Sequence, residues 1–235
     1  MSKGSEKRPG NGMKDLVQGA VDDLSGGRLQ LGLGAGWQER EHANYGFQLL
    51  DIPARMQRYR EGVEVVSRLL HEDKPISFQG TFYHLHDAIL LPRPQRPGGP
   101  PIVIGGGKGV LRLAARWADE WNCAFESPQS FSALNARLDE LLQEQGRQPA
   151  EVRRSLMTEL VFGRDDAALQ RKLERRGRSA DELRAHNALV ATAATVGDEL
   201  GRLADAGVQR IMLQWLDQDD IEGIEIVARD VLPAL

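Results

Sequence analysis

Pro101-Ile102-Val103-Ile104-Gly105-Gly106-Gly107-Lys108 is an apolar run that stops abruptly in three glycines. Three consecutive aliphatic residues, all of them β-branched, read as a short core strand. The glycines read as a tight turn, and Val110 to Trp117 follows as a helix with Leu111, Ala114 and Ala115 towards the core. The same strand–turn–helix unit recurs on both sides. Upstream, a helix from Lys14 carries Leu16, Val17, Ala20, Val21 and Leu24, and Ser25-Gly26-Gly27 ends it. Leu29 to Gly34 is the next strand, and Ala54 to His71 is a helix with Met56, Tyr59, Val63, Val66 and Leu70 on one stripe. Ile76 to Phe78 and Phe82 to Leu85 form a small hairpin around Gln79-Gly80, followed by a proline-rich connector from Pro92 to Pro101. Downstream, strands are expected at Glu120 to Ala124, Ser155 to Phe162 and Arg210 to Trp215. Helices are expected after Pro128, in about 165–175 and 180–187, from Gly197 to Ala206, and in the closing segment with Ile221, Ile224, Val227 and Val231. One helix followed by five strand–helix units defines a parallel α/β architecture. Periodicity leaves an open doubly wound sheet and a barrel both available.

Composition narrows the function classes. The chain has 235 residues, 41% of them hydrophobic, and a net charge of -4, so nothing global draws it to nucleic acid or an anionic membrane. Cys123 is the single cysteine, which excludes an intrachain disulfide and fits a reducing cytoplasm. No apolar run reaches the roughly 20 residues of a membrane helix. Residues 1–13 are polar and read as a disordered leader, with residues 14–235 as the folded domain and an insertion at about 75–101.

Several separated motifs carry a family resemblance. They are Leu24-Ser25-Gly26-Gly27-Arg28-Leu29, Gly32-Leu33-Gly34-Ala35-Gly36-Trp37, Glu39-Arg40-Glu41-His42 and Tyr45-Gly46. Phe78 to Tyr83, Leu91 to Pro94, Pro101 to Gly107, Leu111 to Asp119, and Leu203 to Val208 with Leu213-Gln214-Trp215 continue it in order. Together these resemble the luciferase-like monooxygenases, and most of all the coenzyme F420-dependent oxidoreductases. The resemblance implies a (β/α)8 barrel of which this chain holds strands four to eight, with a hairpin insertion. A complete barrel takes about 250 residues, so the first three strands are expected to be absent. Open strand edges invite pairing, and a homodimer, or a partner chain over the open edge, is therefore expected. The implied activity is hydride transfer between F420 and an organic substrate. An FMN-dependent monooxygenase and a non-catalytic flavin-binding homolog are the alternatives.

The candidate site residues lie at strand ends. Gly105, Gly106, Gly107 and Lys108 would cradle a phosphate, since glycines let backbone N–H groups approach and the following helix points its positive end there; the resemblance assigns this loop to the cofactor phosphate. The plainer reading is an ordinary tight turn. Gly34, Gly36 and Trp37 end another strand, and Trp37 would cover a flat ring or simply pack over the strand end. The family's sugar-phosphate dehydrogenases carry an acidic residue near Trp37, so their acid chemistry does not transfer. Glu39, Glu41 and His42 are the candidates for proton handling, against a solvated loop. Asn122 and Gln214 would donate hydrogen bonds to the cofactor. Glu159, inside an apolar strand, faces the barrel mouth or pairs with an arginine. His84 and His86 lack further ligands at metal spacing. Cys123 reads as core, and Arg171 to Arg178 as a solvated helix face.

Overall fold

The computed structural model describes residues 21–94 and 96–234. The expected leader, and the expected helix up to Ala20, lie outside the described residues. The chain divides into two compact units: residues up to Ile104 with Trp117–Asp119, and Gly105–Arg116 with Glu120 onward.

In the first unit β1 (Leu31–Leu33) runs parallel to β4 (Ile102–Gly105), with Leu31 opposite Ile102 and Leu33 opposite Ile104. Helix α1 (Glu39–Tyr45) follows β1, and α2 (Ile52–His71) follows α1. Asp51 caps α2 by accepting from the Ala54 N–H (2.9 Å), and Pro53 suits its first turn. The α2 stripe holds at Tyr59, Val63 and Leu70, but Glu61, Val65, Ser67 and Leu69 are buried as well. The second buried face lies under the hairpin β2 (Ile76–Gln79) and β3 (His84–Ala88), which is antiparallel as expected. Glu61 explains the junction: its carboxylate accepts from the backbone N–H groups of Thr81 (3.0 Å), Phe82 (2.8 Å) and Tyr83 (3.3 Å). Arg93 donates to the carbonyls of Leu69 and Leu70 and closes the C-terminal end of α2.

In the second unit β5 (Glu120–Ala124), β6 (Arg153–Gly163) and β8 (Arg210–Gln214) are parallel, with Asn122 opposite Ser155 and Met157 opposite Met212. Helices α3 (Leu111–Trp117), α4 (Pro128–Glu144), α5 (Asp166–Arg176), α6 (Ala180–Arg184), α7 (Val196–Asp205) and α8 (Ile221–Ile226) alternate with them. The core sits between strands and helices around Trp121 and Phe131, whose rings stack at 5.2 Å, with Leu138, Leu142 and Leu156. The strands read from sequence are thus β1, β4, β5, β6 and β8, in an α/β fold.

Two elements differ from the sequence expectation. The segment 39–45 is a helix rather than a loop; it buries no residue, and Gly46 ends it in the left-handed conformation (φ 70°). A further strand, β7 (Leu189–Thr192), pairs parallel with the end of β6, Leu160 opposite Leu189. β7 takes over the edge that β5 vacates. The Met157 carbonyl accepts from Phe125, and six residues on, where a strand again faces the same edge, the Gly163 carbonyl accepts from Ala193. Gly163 is obligatory there: a Cβ would stand 2.5 Å from the backbone nitrogen of Leu169 at the start of α5. Among the described residues no helix is long and apolar enough to cross a membrane.

Candidate functional sites

The glycine loop in the second unit is built by stitching to β5. Gly106 donates its N–H to the Asn122 carbonyl (2.9 Å) and accepts from the Trp121 indole through its own carbonyl (2.8 Å). Its φ of 141° is open to glycine alone, and a Cβ would meet Val110 at 3.0 Å. Beyond Gly107 the chain enters a helical turn at Lys108–Val110 that continues into α3. The first N–H groups of a helix lack a helical carbonyl, and those of Lys108 and Gly109 have no partner among the described residues. The nearest atom to a Cβ built on Gly107 is Glu126 Oε1 at 3.8 Å. Glu126 is held by the Ser130 hydroxyl (2.5 Å), and its charge opposes an anion that Lys108 attracts. A glycine cradle with open N–H groups and an exposed lysine fits a phosphate.

One face of β5, β6 and β8 carries Asn122, Ser155, Met157, Met212 and Gln214. Asn122 donates to Ser155 Oγ (2.9 Å) and to Met212 Sδ (3.9 Å), and Gln214 donates to Met157 Sδ (3.3 Å). The amide groups expected to meet a cofactor therefore hold one another's neighbours, and this face is half-buried apart from Ser155. Glu159 is paired with Arg176 of α5, which settles which of its two readings holds. Arg176 and Lys172, which binds Asp220, point inward, so the 171–178 cluster is a solvated face only in part. Cys123 lies on the opposite face, 1% exposed. Burial, with the Glu126 charge adding to it, pushes its thiol up to about 12, so it is not a nucleophile at neutral pH. At the end of β5, Phe125 adopts a left-handed φ of 55° and is held there by the Asn187 side-chain amide on its carbonyl (2.7 Å).

The first unit holds a cavity of about 980 Å³ at the C-terminal end of β1, where active sites of parallel α/β folds lie. Gly34 to Gly36, Glu41, His42, Tyr45 and the face of α2 line it. His42 is brought against the loop: a Cβ on Gly36 (φ 78°) would stand 2.9 Å from His42 Nε2. His42 Nδ1 lies 2.8 Å from the Gln38 carbonyl oxygen. A carbonyl only accepts, so Nδ1 carries the proton, and in the neutral ring Nε2 is the acceptor nitrogen. Glu39 and Trp37 are outside the lining; Glu39 begins α1, where its charge suits the helix N-terminus, and Trp37 is 78% exposed. Arg55, Arg58 and Phe47 line the cavity without having been singled out in the sequence. His84 lines it too, and no group of three His, Cys, Asp or Glu capable of holding a metal occurs among the described residues.

The model of the luciferase-like monooxygenases matches residues 19–228, and the chain belongs to that family. It is 33% identical over 146 residues to the F420-dependent glucose-6-phosphate dehydrogenase of Kineococcus radiotolerans, a match covering 61% of this chain and 42% of that one. It is 27% identical over 121 residues to the FMNH2-dependent dimethylsulfone monooxygenase of Pseudomonas putida, covering 52% and 32%. The matches span less than half the length of these relatives. An F420-dependent secondary alcohol dehydrogenase in complex with an F420–acetone adduct shares the fold, with a TM-score of 0.80 at 21% identity, over 97% of this chain and 76% of that one.

Proposed function

We propose that the chain is an oxidoreductase that uses coenzyme F420 to exchange hydride with an organic substrate. The observation that carries this reading is the loop from Gly105 to Lys108. Gly106, the N–H groups of Lys108 and Gly109, and the Lys108 ammonium would hold the cofactor phosphate. When bound, the deazaflavin supplies the hydride donor or acceptor. The cavity of the first unit would take an organic molecule, with His42 Nε2 accepting a proton. The F420-dependent relatives support this cofactor over FMN. FMN is the second reading, favoured by the monooxygenase relatives. A form that binds flavin without turnover is a third, favoured by the share of its relatives' length that the chain matches. A homodimer in the cytoplasm completes the proposal: β1 pairs with β4 on one edge only among the described strands, and the lone cysteine suits a reducing compartment. Titration with F420 and with FMN, followed by fluorescence and calorimetry, tests the assignment. Binding of FMN alone would overturn the cofactor choice.

A further inference from the structure

The half-buried arginines of the first unit divide into two groups. Arg68 pairs with Glu72 (2.7 Å), Arg93 with Asp73 (3.0 Å) and Arg96 with Asp22 (2.7 Å). Arg55 and Arg58 are also half-buried, yet neither has a carboxylate partner among the described residues. Arg58 reaches the Gln48 carbonyl at 3.4 and 3.5 Å, the outer limit of a hydrogen bond, and among the described residues no side chain or backbone carbonyl accepts from the Arg55 guanidinium. They stand three residues apart on α2, hence on one face of the helix, and both line the 980 Å³ cavity.

We infer that this cavity binds an organic carboxylate through Arg55 and Arg58. A guanidinium only donates, keeps its charge at every accessible pH, and matches a carboxylate with two parallel hydrogen bonds. Partial burial strengthens that attraction relative to open water. The other charged lining residue is Glu41, which is exposed on α1, so solvent screens its repulsion. His42 and His84 are the remaining titratable residues besides the tyrosines. The wall supplies a place for the ligand's apolar body: Tyr45 and Phe47 are 76% and 63% exposed, and Phe82 lines the same cavity. Large exposed aromatics around a cavity mark a binding surface.

The assignment rests on reading this cavity as the pocket for an organic substrate, and the test separates the two. Calorimetry on the full chain compares benzoate, its neutral isostere benzamide, and inorganic phosphate. Benzoate is expected to bind at least about tenfold more tightly than benzamide, since a charge-assisted pair is worth that much. Arg55→Gln should remove that advantage and leave benzamide binding unchanged. Arg58→Gln should do the same, with thermal unfolding run alongside because Arg58 also touches Gln48. Equal binding of benzoate and benzamide, insensitive to Arg55→Gln, would overturn the carboxylate site and leave the pocket standing. Phosphate that binds as tightly as benzoate and loses that binding on Arg55→Gln would overturn the choice of carboxylate. Binding of neither benzoate nor benzamide would overturn both readings.

Discussion

His42 Nδ1 and the Gln38 carbonyl oxygen lie 2.8 Å apart, one turn of helix from each other. The contact fixes the imidazole tautomer and leaves Nε2 as the acceptor beside Gly36. If His42 moves a proton, His42→Ala should lower turnover by about 10²-fold or more, with a change in unfolding temperature no larger than an exposed-helix substitution gives. Gly36→Ala should act through the same pair. A Cβ would stand 2.9 Å from Nε2 on a backbone with φ 78°, so stability should fall by about 1 kcal/mol or more as the ring is displaced. Chemical denaturation of both variants checks this; an unperturbed Gly36→Ala would contradict the geometry.

Glu61 gives a pH dependence with a definite sign. Burial pushes its carboxyl up, but the N–H groups of Phe82, Thr81 and Tyr83 and the Gln57 amide outweigh it, and the net direction is below the usual 4.5. A carboxyl depressed in the folded state stabilises above its unfolded pKa, and that contribution is lost as pH falls through the folded one. Glu61→Gln should therefore cost about 1–3 kcal/mol at pH 7. The gap to the parent should narrow as pH drops below 4.5. Urea midpoints across that range measure it, and a constant gap would remove the carboxylate from the account.

Phe125 holds a left-handed backbone that costs a bulky L-residue roughly 1–2 kcal/mol. Its N–H on the Met157 carbonyl and its carbonyl on Asn187 keep it there. Phe125→Gly should be about 1 kcal/mol more stable than Phe125→Ala, since both lose the ring and only alanine keeps the strain. Equal stabilities would mean the left-handed conformation is not retained.

The edge of β1 left unpaired among the described strands carries a prediction about assembly. Light scattering on the full chain at micromolar concentration should return the mass of a dimer. A clean monomer would remove the homodimer from the proposal.

Much of the fold was legible because its strands are short aliphatic runs bounded by glycine, as at Ile102–Gly105, and α2 shows its stripe plainly. Helix α1 was not legible: Glu-Arg-Glu-His-Ala-Asn-Tyr buries nothing, so no apolar period exists to read. Strand β7 was hidden by Asn187, whose φ of 60° turns the chain into it directly from a charged helical segment. At the sites, residue types were readable and their partners were not. His42 and the glycines stand out in sequence, whereas the charges of Arg55 and Arg58, left without a carboxylate partner among the described residues, show only once α2 has folded.

The central claim is that the loop from Gly105 to Lys108 holds the phosphate of F420. Fluorescence titration of the full chain with F420 and FMN tests it most directly, repeated with Gly106→Leu and, to keep the fold intact, Lys108→Ala. The account predicts saturable binding of F420, tighter than FMN, weakened about three- to tenfold by Lys108→Ala and abolished by Gly106→Leu. Absence of binding to both cofactors at high micromolar concentration, or affinity indifferent to both substitutions with the fold preserved, would contradict it.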